Sequence, residues 1–248
     1  MIPESSTNVE RAVEILVLLG QSGVSGMSLQ AVSEHLGDAK SATRRALVAL
    51  SGRGFVESAG RRGQYRLGPA IYGLANKSSS TSELVRRFRP AVMEVAAQTG
   101  QSSYLMTRAG FDAICVDMHE GTAFVRTLTG GVGGRVPLGV GPGSTAILLG
   151  LDADTREAII ARNAPRYPQY NGTNADQVRR NLERALEQGC SYDIGEMFSE
   201  AGGVASPIPI SPSDATAAIS IAMPVAQLDP DRAQVIAALM KNLIAKYL

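Results

Sequence analysis

The stretch SLQAVSEHLGDAKSATRRALVALS, residues 28–51, decides how the first part of the chain folds. Ser28 carries the side chain of a helix N-cap. Leu29, Val32 and Leu36 recur at helical spacing, and Gly37 can take the left-handed conformation that ends a helix. Asp38-Ala39 makes a turn. A second helix is predicted from about Lys40 to Ser51, with Ala42, Ala46, Leu47 and Leu50 as its inner face; Gly52 and Gly54 break it. Two short helices joined by a tight turn form a helix-turn-helix, whose second helix enters the major groove of DNA.

Upstream, Thr7-Asn8-Val9-Glu10 reads as a capping box, with the Thr7 hydroxyl serving the backbone three residues on. Val9, Ala12, Val13, Leu16 and Leu19 then predict a helix that ends at Gly20, followed by a Gly/Ser loop over 21–27. Downstream, 55–57 and 64–67 read as short strands around Gly60-Arg61-Arg62-Gly63, a hairpin whose Gly/Arg tip is the wing. Gly68-Pro69 punctuates, 70–75 is a short apolar helix, and the serine-rich segment 76–82 is the joint. The expected domains are therefore 1–68, a winged helix-turn-helix for binding DNA; 69–82, a linker helix and joint; and 83–248, a second domain.

Charge supports a nucleic-acid partner for the first domain only. The net charge of the chain is +1, but residues 1–77 hold nine Lys/Arg against six Asp/Glu, and 38–66 hold seven against two. Such asymmetry marks an electrostatic footprint. The N–H groups that open the second helix attract phosphate. Ser41 and Thr43 are expected to reach a phosphate or a base edge, and Arg44 or Arg45 to pair with guanine. The candidate DNA contacts are Ser28, Lys40, Ser41, Ala42, Thr43, Arg44, Arg45, Arg61 and Arg62. The plainer alternative is a solvated basic helix beside an ordinary hairpin.

Composition narrows the class of the remainder. The chain has 248 residues, 44% hydrophobic and 19% charged, values of a soluble globular protein; aromatics are 5% and Trp is absent, so aliphatic residues and Gly must do most of the packing. No apolar run reaches the length of a membrane span, and the N-terminus lacks the pattern of a secretion signal, so a cytoplasmic protein with no membrane partner is expected. Cys115 and Cys190 form no CxxC and read as reduced structural thiols. His35 lies in the helix-turn-helix and His119 has no partner set at triad or metal spacing. No enzyme activity, cofactor or metal is expected.

From residue 83 the pattern is mixed α+β. Helices are predicted at about 83–99, 144–151, 154–162, 174–188 and 230–247. Strands are predicted at 103–108, 113–117, 123–129, 189–194, 203–210 and 217–224, in a mainly antiparallel sheet. Gly139-Val140-Gly141-Pro142-Gly143-Ser144-Thr145 is a glycine-rich loop opening a helix. Its free N–H groups favour an anion such as a carboxylate, although it lacks the Lys of a P-loop; alternatively its glycines only permit a tight turn. Asp193 and Glu196 can serve a ligand hydroxyl or amine, or form a solvated turn. Strand alternation puts Ala218, Ser220 and Ala222 on one face, and a buried Ser220 hydroxyl needs a partner in backbone or ligand.

From about Asn8 to Met240 the chain resembles the IclR family of bacterial transcriptional regulators. The resemblance rests on VERAVEIL (9–16), SLQAVSEHLG (28–37), KSATRRALVAL (40–50) and YRLG (65–68). In the second half it rests on Arg89-Pro90, Thr99-Gly100, RVPL (135–138), the Gly-rich approach to Ser144, YDIGE (192–196), SPI (206–208) and ISI (219–221). It implies a winged helix-turn-helix, a linker helix and a GAF/profilin-like effector domain. It also implies dimers or dimers of dimers on a palindromic double-stranded DNA operator, answering to a small organic acid or aromatic metabolite. Carried over motif by motif, the effector pocket comprises Val125, Leu128, Val136, Leu138, Pro142, Gly143, Ser144, Asp193, Ala201, Gly203, Ser220 and Ala222. The chain departs from the family where many members have His after Pro-Leu (here Gly139) and Ser-Gly-Lys before the helix (here Gly143-Ser144-Thr145). Gly203 and Ala222 stand where some members have Cys and Ser, which suggests a roomier, less polar pocket than one for a two- or three-carbon acid. The competing reading is a metabolite-binding module or enzyme that uses its winged helix for protein–protein association.

Overall fold

The structure, a computed structural model, describes residues 6–60, 63–75, 79–122, 125, 127, 129–209 and 216–248. It divides into two compact units, one ending at Ser82 and the other running Glu83–Leu248.

In the first unit, α1 (Thr7–Gln21) starts at the residue expected to cap it. Thr7 is inside the helix, Ser6 is the N-cap and offers no side-chain bond, so no capping box forms; Gly20 is passed, and Ser22 ends the helix. Strand β1 (Met27–Ser28) was not expected. It pairs with β3 (Gln64–Leu67), which also pairs with β2 (Val56–Ser58), giving the order β1-β3-β2 with antiparallel neighbours. Helices α2 (Leu29–Leu36) and α3 (Lys40–Ser51) fall where predicted, and Gly37 has φ +65°. Their inner faces meet α1 over Ile15, Leu18, Leu19, Val32 and Leu47. The short α4 (Pro69–Ala75) follows.

Helix α5 (Ser79–Thr99) begins four residues before its predicted start, so Ser79–Ser82 of the expected joint are helical; 76–78 lie outside the described residues. In the second unit the strands are β4 (Ser102–Ala109), β5 (Asp112–His119), β6 (Arg135–Pro137), β7 (Ser191–Phe198), β8 (Ala201–Ile208) and β9 (Ala217–Pro224). Their order is β6-β5-β4-β9-β8-β7, every pair antiparallel. The strand predicted at 123–129 is a correction. Val125, Thr127 and Thr129 lie in no strand, and Ala123, Phe124, Arg126 and Leu128 are outside the described residues.

Helices cover both faces of this sheet. Leu84, Phe88, Val92 and Val95 of α5 and Ile236, Met240 and Leu243 of α9 (Pro230–Ala245) pack on Leu105, Ile219, Ile221 and Met223. The other face holds Tyr104, Met106 and Ala218 under α6 (Pro142–Leu149), α7 (Ala153–Asn163) and α8 (Ala175–Gln188). Burial on both faces explains why β9 is apolar almost throughout. The mixed α+β architecture is as expected.

Candidate DNA surface and effector cleft

On α3, Lys40, Ser41, Arg44 and Arg45 are exposed and Ala42 is half-buried. Among the described residues neither Arg44 nor Arg45 joins an ion pair, whereas Arg11 and Arg66 are taken by Asp38 and Glu57. Ala39 precedes α3 without a side-chain cap, so no side chain covers the first amides. Thr43 is a correction. It is fully buried one turn from Leu47, and its hydroxyl donates to Ala39 O at 3.4 Å; the 3.6-residue period turns it into the core. Ser28 caps α2, its Oγ accepting from Ala31 N–H at 3.1 Å, which leaves the hydroxyl proton for another partner. Arg61 and Arg62 lie outside the described residues.

The second unit has a cleft of about 590 Å³, counting its open mouth, between the start of α6, the β7–β8 hairpin and the α6-facing side of β4 and β9. Of the expected pocket residues, Val136, Pro142, Gly143, Ser144, Asp193, Ala201, Gly203, Ser220 and Ala222 line it. Leu138 does not. It is fully buried in the core, its carbonyl accepting from Tyr167 Oη at 2.9 Å. Val125 borders an adjoining depression with Met118 and Glu120 instead. Leu128 is outside the described residues. Sequence reasoning missed Tyr104, Met106, Thr127, Thr129, Met197 and Phe198, all on the cleft wall. Tyr104 and Met106 sit opposite Ser220 and Ala218 across the β4–β9 ladder, a pairing that strand alternation alone does not reveal.

The start of α6 brings backbone donors to the cleft. Gly141 (φ +75°) is the N-cap of α6 and Pro142 its first residue, so the amides of Gly143 and Ser144 have no acceptor within the helix. The Ser144 hydroxyl is already committed, donating to Val140 O at 2.7 Å, and Thr145 Oγ1 donates to Gly141 O at 2.9 Å. A Cβ on Gly143 would come 3.3 Å from Ser220 Oγ, so the missing side chain lets α6 close on β9.

Asp193 lines the cleft near the start of α6 and is no solvated turn. It is buried, and its oxygens accept from the amides of Glu196 (2.7 Å) and Met197 (3.2 Å), pinning the irregular β7 segment around Gly195 (φ +76°). Burial raises its carboxyl above the ordinary value against those amides. Glu196 instead reaches Asn181 and Arg184 of α8. Tyr104 is also raised by burial, with the hydroxyls of Ser102 and Thr127 opposing. The roomier pocket expected from Gly203 is corrected in part. A Cβ there would meet Ile221 O at 2.8 Å and Pro142 Cγ at 3.3 Å, so the glycine admits close packing rather than open space.

Both thiols are buried. Burial pushes Cys115 up to about 12 and also raises Cys190. His35 and His119 are exposed. Among the described residues no group of His, Cys, Asp and Glu is placed to hold a metal, and no helix is long and apolar enough to cross a membrane.

Two family models match the chain: the IclR helix-turn-helix domain over 8–60, and the bacterial transcriptional regulator IclR C-terminal domain over 76–246. Similar curated proteins include the HTH-type transcriptional repressor AllR of Klebsiella pneumoniae, 26% identical over 90% of this chain and 82% of the relative. The HTH-type transcriptional regulator Rv1719 of Mycobacterium tuberculosis is 30% identical over 76% and 71%. Among solved structures, an IclR homolog from Microbacterium hydrocarbonoxydans, complexed with 4-hydroxybenzoate, superposes with a TM-score of 0.74 at 21% identity, covering 98% of this chain and 99% of its own. These relatives are transcriptional regulators, not enzymes, and the reading of the winged helix as an accessory of an enzyme is set aside. The chain belongs to the IclR family of bacterial transcriptional regulators.

Proposed function

We propose that the chain is an effector-responsive regulator. It binds a palindromic operator as a dimer or dimer of dimers, with Lys40, Ser41, Arg44 and Arg45 of α3 at the duplex and the Arg61-Arg62 wing beside it. Operator affinity changes when a small organic acid or aromatic metabolite occupies the cleft. The observation that carries this reading is the cleft itself: apolar walls of Met106, Val136 and Met197, together with the free amides that open α6 and the buried carboxyl of Asp193. Ligand sites are characteristically apolar concavities with a few convergent polar groups. The 4-hydroxybenzoate complex of a structural neighbour supports an aromatic acid as the first candidate, and the AllR relatives favour repression as the sense of control. Effector and operator would then be linked by a coupling free energy between two sites.

The test is a gel shift on the chain's own promoter region with and without benzoate-type and small aliphatic acids. A specific complex that an acid shifts supports the proposal. Binding that ignores sequence and survives Arg44→Ala with Arg45→Ala sinks the readout by α3, and turnover of any acid sinks the regulator reading.

A further inference from the structure

The turn between α2 and α3 holds an acid where a DNA-facing surface calls for cations. Asp38 lies two residues before Lys40, so its Cα is within about 8 Å of the start of α3. A negative charge there suits the positive end of the α3 dipole, but beside a phosphate it repels. Arg11, reaching across from α1, resolves the conflict. Its Nε and Nη2 donate to the two Asp38 oxygens at 2.5 and 3.1 Å, and its Nη1 donates to Asn8 Oδ1 at 2.8 Å. The Arg11 side chain is 12% exposed and that of Asp38 27%, so the fork is only partly open to solvent. The Asp38 backbone is held as well, its N–H donating to Ser33 O at 3.0 Å. The N-cap of α3 is Ala39, and the Asp38 carboxylate is turned to Arg11 rather than to the first amides of the helix.

We propose that Arg11 is a positioning residue for DNA recognition: it cancels the Asp38 charge and tethers that carboxylate to α1, so that a phosphate can approach the first turn of α3. The mutual support of the two charges agrees with the lowered Asp38 carboxyl and the raised Arg11 guanidinium, each caused first by their hydrogen bond. The inference rests on α3 being the DNA-reading helix.

Its test uses the full chain and a fluorescent duplex enriched from a random-sequence library by the wild-type protein, with anisotropy read at about 0.1 M salt and thermal melts alongside. Arg11→Gln leaves Asp38 uncancelled and is expected to raise Kd about tenfold. Arg11→Gln with Asp38→Asn removes both charges and is expected to return Kd to within about threefold of wild type, the signature of coupled residues. Arg11→Lys keeps the cancellation and stays near wild type. A double variant as weak as Arg11→Gln overturns the proposal, because Arg11 would then be touching the duplex itself. Unchanged binding by Arg11→Gln overturns it too. Should Arg11→Gln melt below the assay temperature, the lysine and double variants decide by the same criteria. Arg44→Ala is the separate control: if it binds as tightly as wild type, the reading of α3 fails whatever the Arg11 variants do.

Discussion

Asp193 holds the architecture of the candidate cleft from within. Its two oxygens hold the amides of Glu196 and Met197, and Met197 in turn forms cleft wall. Burial raises its carboxyl above the unfolded value. Below the unfolded value it is protonated in both states, and its full contribution to stability is present. As pH rises through the raised folded value that contribution is lost, because the unfolded chain ionises more readily. Asp193→Asn does not titrate. The difference in unfolding free energy between wild type and Asp193→Asn should therefore fall with rising pH across that window in urea titrations, and a flat difference would refute the burial argument. Gly203 makes a second prediction at this scale. Gly203→Ala puts a methyl 2.8 Å from Ile221 O and 3.3 Å from Pro142 Cγ. Overpacking of this kind costs roughly 1–3 kcal/mol, and a denaturation midpoint equal to wild type would show that β8 and α6 separate freely.

At the scale of elements, the helix-turn-helix is held by its ends as much as by its core. Ser28 Oγ caps α2 through Ala31 N–H, and Gly37 at φ +65° closes it. Ser28→Ala should cost about 1 kcal/mol of stability, seen as a lower melting temperature. Ser28→Asp keeps an accepting cap but adds a negative charge. It should retain the stability of wild type while weakening operator binding, if Ser28 faces the duplex. Operator affinity unchanged by Ser28→Asp would confine Ser28 to the capping role. In the second unit, Asp152, Asn174 and Asp229 cap α7, α8 and α9 in the same way, each through the backbone N–H three residues on. Gly139 acts between elements: at φ +97° a Cβ would lie 2.5 Å from Val178 Cγ1, so only glycine lets α8 approach the loop that leads into α6.

Across the whole molecule, the two candidate sites fall in separate units, with α3 in one and the cleft in the other. A ligand that binds the folded cleft stabilises the chain by mass action, about 2.7 kcal/mol at a hundred times its Kd. For a domain of this size that is a rise in melting temperature of roughly 5–10 °C. Ala222→Phe should abolish the rise by filling the cleft from β9. An equal rise in both chains would place the ligand elsewhere.

What the sequence determined by itself was chiefly local. The cap at Ser28, the stop at Gly37, the period of α2 and α3, and the alternation of Ala218, Ser220 and Ala222 are all set within a few residues, where hydrogen bonds and side-chain spacing act along one segment. The loop at Gly139–Thr145 was legible for the same reason. What only the tertiary structure decided depends on partners far apart in the chain. Val125 borders the neighbouring depression rather than the cleft because Met118 and Glu120 lie beside it. Leu138 went to the core rather than the cleft because Tyr167 and Asn163 bind its carbonyl. Tyr104 and Met106 joined the cleft because β4 pairs with β9, more than a hundred residues later. Such pairings repay their loop-closure entropy only when the whole sheet forms, so no short stretch of sequence announces them.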